Sequence, residues 1–183
     1  MHNLQQRANV AFSFACTVLG SILAVVATIS YIAGYPTVPS DIRVDTNALR
    51  VVSRRYGPEY YDYGTPKSHF AKVNFDLDVD FTPVFNWNTK QVFVTVVAEY
   101  ESKTHDRNSI VLWDHIIQDK QDANLTLRNV QNKYAFIDVS RKWSHQPVDL
   151  SLRWDITPHV GVLQSGRSAS NPVNIVLAPA EQA

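Results

Sequence analysis

The chain has 183 residues with 17 Lys plus Arg against 17 Asp plus Glu, so its formal net charge is zero. That balance, with no basic run beyond Arg54-Arg55, removes the electrostatic basis for nucleic-acid binding. The one cysteine, Cys16, excludes an intrachain disulfide, and with only six glycines there is no glycine-rich phosphate loop.

The first element is an apolar helix. No formal charge occurs between Arg7 and Asp41, and Val10 to Ala33 would span roughly 36 Å as a helix, enough to cross a hydrocarbon core of about 30 Å. A cleavable leader has an apolar core of about 7–15 residues followed by a small-x-small site. Here the run is longer, and the best such triplet, Thr28-Ile29-Ser30, lies inside it. The segment therefore reads as a retained signal anchor, and a soluble core helix of this length would show a polar stripe. Arg7 and the terminal amine on one flank face Arg43 and Arg50 on the other, so local charge does not orient it. Cys16, Gly20, Ala24 and Thr28 form a stripe of small residues with a period of four. Such a stripe is either a seat for a second membrane helix or the ordinary composition of a span. Tyr31 and Tyr35 fall at the outer end, where amphipathic aromatics settle.

The expected organisation is a tail over 1–9, the anchor over 10–33, a turn-rich juxtamembrane linker over 34–69 and a β domain over 70–183. The linker has room for one strand around Ile42 to Leu49. From Ala71 the pattern alternates strictly: Ala71, Val73, Phe75, Leu77, Val79 and Phe81 are separated by Lys72, Asn74, Asp76, Asp78 and Asp80, as one buried and one wet strand face require. The same period places Val148, Leu150, Leu152, Trp154 and Ile156 on one face of a later strand. QVFVTVVAEY reads as a strand buried on both faces, SIVLWDHII as another, KYAFIDV as a weaker one and PVNIVLAP as a proline-bounded edge strand. The expected fold class is all-β, an antiparallel β-sandwich tethered by one N-terminal transmembrane helix. Asn124-Leu125-Thr126 is a candidate glycosylation sequon, meaningful only on the translocated side. A domain without disulfides suits an interior compartment.

Assembled chemistry is not announced. His69, His105, His115, His145 and His159 lie on different predicted elements, so no metal and no cofactor is expected. Ser68 beside Lys67, Ser102 beside Lys103, and Asp114 beside His115 are adjacent, and adjacent residues on a strand point to opposite faces. The row Asp76, Asp78, Asp80 reads as a solvated face, because a Ca²⁺ site would also need converging loop oxygens. Composition and spacing end at a membrane-tethered interaction module. A cell-surface sandwich and a membrane-anchored serine-dependent protease stay open as alternatives.

Several stretches, taken together and in order, resemble the family of third subunits of the eukaryotic signal peptidase complex. They are Arg7-Ala8-Asn9 before the anchor, FNWNTKQVFVTVVAEY (85–100), VLWDHII (111–117), KYAFID (133–138) and VDLSLRWDITPHVGVL (148–163). The resemblance implies a single-pass protein of the endoplasmic reticulum membrane, with a cytosolic N-terminus and a lumenal β domain. It implies a non-catalytic accessory role in signal-peptide removal. The implied partners are the catalytic serine protease subunit, other small membrane subunits of the complex and the translocon. It gives the small-residue stripe a use in packing against membrane helices, and makes Phe85, Trp87 and Trp113 candidates for a lumenal interface. Phe85 and Trp87 lie in a Pro-Asn-rich turn. Trp113 alternates with Val111 on its strand and has core packing as an equal alternative.

Overall fold

A computed structural model of the chain describes residues 3–45, 49–54, 68–102, 105–138, 143, 147–168 and 173–176. The expected anchor is one unbroken helix, α1, Leu4–Ala33, long and apolar enough to cross a membrane. Three of its hydroxyls are satisfied within the helix. Thr17, Ser21 and Thr28 donate to the carbonyl oxygens of Ser13, Thr17 and Ala24 at 2.9, 2.8 and 2.8 Å, which removes the cost of carrying them where no water is available. Gly34 and Pro36 follow and end it.

Among the described residues eleven strands come next: β1 Ser40–Val44, β2 Arg50–Arg54, β3 Ser68–Lys72, β4 Asn74–Asp80, β5 Thr89–Tyr100, β6 Asn108–Ile117, β7 Asn124–Gln131, β8 Phe136–Ile137, β9 Pro147–Pro158, β10 Gln164–Arg167 and β11 Val173–Val176. Every pairing is antiparallel. One layer is the sheet β10-β9-β5-β6, with β11 also on β9. The other is two three-stranded sheets, β1-β4-β7 and β2-β3-β8, laid end to end. Only Val73 separates β3 from β4, and Asn132 ties that seam: its backbone N–H donates to the Val73 carbonyl at 3.0 Å, and its Oδ1 accepts the Val73 N–H at 3.0 Å.

The core between the layers has two halves. Nearer α1, Phe75, Leu77, Val79 and Phe81 pack against Val92, Val94, Val96, Leu152, Trp154 and Ile156, with Phe81 edge-on to Trp154 at 5.6 Å. Farther away, Val51, Ala71, Val73, Phe136 and Trp143 pack against Ala98, Tyr100, Leu112, Val148 and Leu150, with the Trp143 ring 4.7 Å from Phe136 and 4.9 Å from Tyr100. Each large side chain buried this way is worth about 1.5–3 kcal/mol, which is what holds a domain without disulfides. Both predicted alternations, 71–81 and 148–156, match these buried sets residue by residue. The two-faced burial expected of QVFVTVVAEY holds from Val94 to Ala98.

Other expectations are corrected. The juxtamembrane segment supplies two strands, β1 and β2, in place of the single one expected around Ile42 to Leu49, and the boundary at residue 70 falls inside β3. KYAFIDV shrinks to the two residues of β8, because Lys133 and Tyr134 turn away to give their N–H groups to the Leu112 carbonyl at 2.7 and 3.1 Å. β7 and β10 have no counterpart among the expected strands, β10 because Gln164-Ser165-Gly166-Arg167 has no apolar period. Its Gly166 is required by space. A Cβ there would sit inside the Trp154 indole, 2.6 Å from Cζ2. G166A should therefore displace Trp154 and destabilise the domain by about 1–3 kcal/mol, the usual cost of overpacking a filled core. Urea unfolding followed by tryptophan fluorescence checks this.

Candidate functional site

At the end of the sandwich next to α1, a tight turn over 86–89 leads into β5. The Asn86 carbonyl accepts the Thr89 N–H at 3.2 Å, the Asn86 side-chain oxygen accepts the Asn88 N–H at 2.8 Å, and the Thr89 hydroxyl donates to the Val84 carbonyl at 2.8 Å. This turn presents the buried Asn88 inward. The Asn88 amide donates to the Ser30 hydroxyl of α1 at 2.9 Å and to the Val160 carbonyl at 2.8 Å. Its Oδ1 accepts the Val160 N–H at 3.1 Å, and its own carbonyl accepts the His159 N–H at 2.7 Å. Gly161 follows with φ +123°, a conformation that disfavours any side chain, and a Cβ at this position would stand 3.6 Å from the Ala27 Cα. One asparagine thus fastens the last turns of α1 to the β4–β5 and β9–β10 connections. Ser30 is the one helix residue that is buried.

A second surface is the outer face of the five-stranded sheet. Register places Phe93 opposite Ile116, Thr95 opposite Asp114, Val97 opposite Val111 and Glu99 opposite Ser109. Ile116 is 46% exposed and Val111 40%, so an apolar strip faces outward beside the edge strand β6. A bulge in β6 at Leu112, where Val96 pairs Trp113 but Val97 pairs Val111, lets consecutive Leu112 and Trp113 both face the core. At the far end of this face, Glu99 receives hydrogen bonds from Arg107 at 3.1 Å, Arg167 at 2.7 Å and Arg153. Burial raises the Glu99 carboxyl, but the bonds from Arg107 and Arg167 and the charges of Arg167 and Arg153 outweigh it and hold it below its ordinary value.

The residues singled out in the sequence do not converge on one site. Cys16, Gly20, Ala24 and Thr28 are exposed along α1, and Asn124 is exposed at the start of β7, opposite Asp80. Trp87 is 68% exposed at the tip of the 86–89 turn. Phe85, expected to be exposed, is instead half-buried against the core, folding back after the 3₁₀ turn Thr82–Val84, and Trp113 takes the core-packing alternative, half-buried and edge-on to Phe75 at 6.4 Å. The aspartate row is occupied by structure. Asp76 accepts the N–H of Asn129 (φ 50°) in a β7 bulge at 2.7 Å, Asp78 pairs with Arg128 at 2.8 Å, and Asp80 accepts the Thr82 N–H at 2.8 Å. Asp80 is held below the usual carboxylate range by its hydrogen bonds with Thr82. His69 accepts the Trp143 N–H at 3.1 Å. Among the described residues no group of three or more His, Cys, Asp or Glu could hold a metal ion. Lys67 and Lys103 lie outside the described residues. Neither the Asn88 lock nor the outer strip is legible in the sequence. The only signals are the asparagines of FNWNTKQ and the apolar residues on the second face of QVFVTVVAEY.

The fold and these surfaces define a class: an antiparallel β-sandwich fastened by a buried polar lock to one apolar anchor helix. Residues 1–177 match the family described as Signal peptidase subunit, and the chain belongs to that family. It is similar to proteins named signal peptidase complex subunit 3. The one from Yarrowia lipolytica is 39% identical over 169 residues, covering 88% of this chain and 89% of the relative. The one from Caenorhabditis elegans is 35% identical over 176 residues, covering 94% and 93%. The one from Drosophila melanogaster is 34% identical over 170 residues, covering 90% and 89%.

Two consequences can be measured. N88A strips the partners from polar groups of Ser30 and Val160, at about 1–3 kcal/mol for a group left unsatisfied. Hydrogen exchange at Val160 should then be about 10- to 100-fold faster than in wild type, with β5 and β9 unchanged. For Glu99, a carboxyl lowered in the folded state contributes stability that is fully present above its unfolded value of 4.5 and is lost as pH falls through the lower folded value. E99Q should cost about 1–3 kcal/mol at neutral pH and flatten the acid limb of a thermal-melting series. Parallel curves for wild type and variant would contradict it.

Proposed function

We propose that the chain is a non-catalytic accessory subunit of the endoplasmic reticulum signal peptidase complex, which binds and positions the catalytic serine protease subunit during removal of signal peptides. The N-terminal tail lies in the cytosol, α1 spans the membrane and the β domain occupies the lumen, where Asn124 is open to glycosylation. The observation that carries this reading is the family match over nearly the whole chain, joined to a β domain whose prominent surfaces suit docking. The hydrogen bonds of the described serines support the non-catalytic part. Ser40 bonds Ser168 at 2.8 Å, Ser102 donates to the His105 backbone carbonyl at 3.3 Å, and Ser165 donates to the exposed Asp155 carboxylate at 2.5 Å; none of these three bonds joins a serine to a histidine ring or a lysine amine.

The seat for the protease subunit in this proposal is the apolar strip of Phe93, Val111 and Ile116 beside β6, flanked by Asp114. An apolar centre with a polar rim is the usual anatomy of a stable interface. Half-buried Trp113, on β6 itself, supports that layer from the core side. In the bilayer, the stripe of Cys16, Gly20, Ala24 and Thr28 packs against helices of other subunits, since small side chains let backbones approach.

The test is capture through a C-terminal tag in mild detergent, with partners identified by mass spectrometry. Wild type should recover a signal-peptidase-type catalytic subunit in stoichiometric amount. V111D with I116D, both at outward-facing positions, should lose it while keeping the wild-type melting temperature. Recovery of the wild-type chain alone would end the accessory assignment. Unchanged capture by the variant would move the interface off this face.

A further inference from the structure

We propose that the base of the β domain enters the membrane surface, with Trp87, Val162 and Leu163 forming a second point of lipid contact beside α1. The proposal rests on reading α1 as a membrane span. These side chains are 68%, 62% and 64% exposed, large and apolar, and no part of either core cluster includes them. They come from two connections, the 86–89 turn and the β9–β10 loop, and both are pinned to the same stretch of helix. Asn88, next to Trp87, bonds Ser30 and Val160, and Gly161, next to Val162, stands against Ala27.

The level of that stretch decides what covers the three side chains. A hydrocarbon core of about 30 Å takes about 20 helical residues. Counted from Val10, where the anchor begins, those residues end at Ile29, so Ala27 to Ser30 lie at the boundary between hydrocarbon and headgroups. The domain does not stand clear above that boundary. It is docked beside the last two turns of the helix, because its loops reach back to Ala27 while α1 continues to Ala33. Exposed Tyr31 and Ile32 on those turns are at the same level. A tryptophan flanked by two aliphatic side chains at headgroup depth is the composition that settles in a bilayer interface, with the ring body in the acyl region and the indole N–H toward water. The occupant that fits is therefore the lipid surface.

The full-length chain, reconstituted in phosphatidylcholine vesicles, tests this by quenching. Trp87 is one of four tryptophans, so its contribution is the difference between wild type and W87F. Resistance of the chain to extraction by alkaline carbonate first establishes the span; extraction would overturn the span reading and this proposal with it. With the span established, lipids brominated near the headgroup end of the acyl chain should quench wild type more than W87F. The Trp87 difference spectrum should be blue-shifted. V162D with L163D should lose most of that extra quenching while the chain stays carbonate-resistant. Trp87 emission that is insensitive to brominated lipid and quenched by aqueous iodide would overturn the proposal while leaving the accessory role standing.

Discussion

The antiparallel pairing of β5 with β9 is the constraint from which the other features follow. Both strands have 12 residues and run the length of the sandwich. Their inward side chains enter both halves of the core, Val92 to Val96 and Leu152 to Ile156 in one, Ala98, Tyr100, Val148 and Leu150 in the other. Their outward side chains make the face with Phe93 and the Glu99 cluster. Their ends nearest the helix continue into the two connections that grip α1. A register shift of one residue between them would turn the core sets outward and separate Asn88 from Val160, so packing and the anchor junction depend on the same ladder.

The junction changes what a single anchor can do. A domain joined by a flexible linker samples many orientations, and each docking event must then restrict it. Here the Asn88 side chain joins helix, turn and loop through one buried and two part-buried hydrogen bonds, and the loop at Gly161 is packed on Ala27. Buried polar groups satisfied in this way are costly to separate, because separation leaves several of them without partners. The consequence is a β domain held at a set height and orientation against α1. For an accessory subunit proposed to position a membrane-embedded protease, that rigidity converts a tether into a bracket.

The outer face and the core side of the same sheet illustrate how two surfaces are made from one strand pair. Strict alternation gives one inward and one outward row, but the β6 bulge at Leu112 breaks the count on the edge strand and sends two consecutive side chains inward. Trp113 is drawn to the core by that bulge, which is why it is half-buried, while Val111 and Ile116 are left on the outside. The Glu99 cluster closes the far end of the face, its carboxylate shared by three guanidinium groups from β9, β10 and the β5–β6 connection.

The sequence by itself determined the features that depend on neighbours along the chain. The length of α1 follows from an uninterrupted apolar run. The buried rows of β4 and β9 follow from a period of two, and the all-β class follows from several such rows without a helical period beyond the anchor. FNWNTKQ, VLWDHII and their companions pointed to the family that the comparison with relatives shows. The tertiary structure alone decided what depends on residues far apart in sequence. Asn88 meets Ser30 across 58 positions and Val160 across 72, and no local pattern encodes either separation. β2 and β10 exist because a neighbouring strand offers a ladder, although their own residues show no period. The outer apolar strip arises from register between β5 and β6. Periodicity is a property of one segment and can be read from it, whereas a hydrogen bond or a shared face requires two segments and the fold that brings them together.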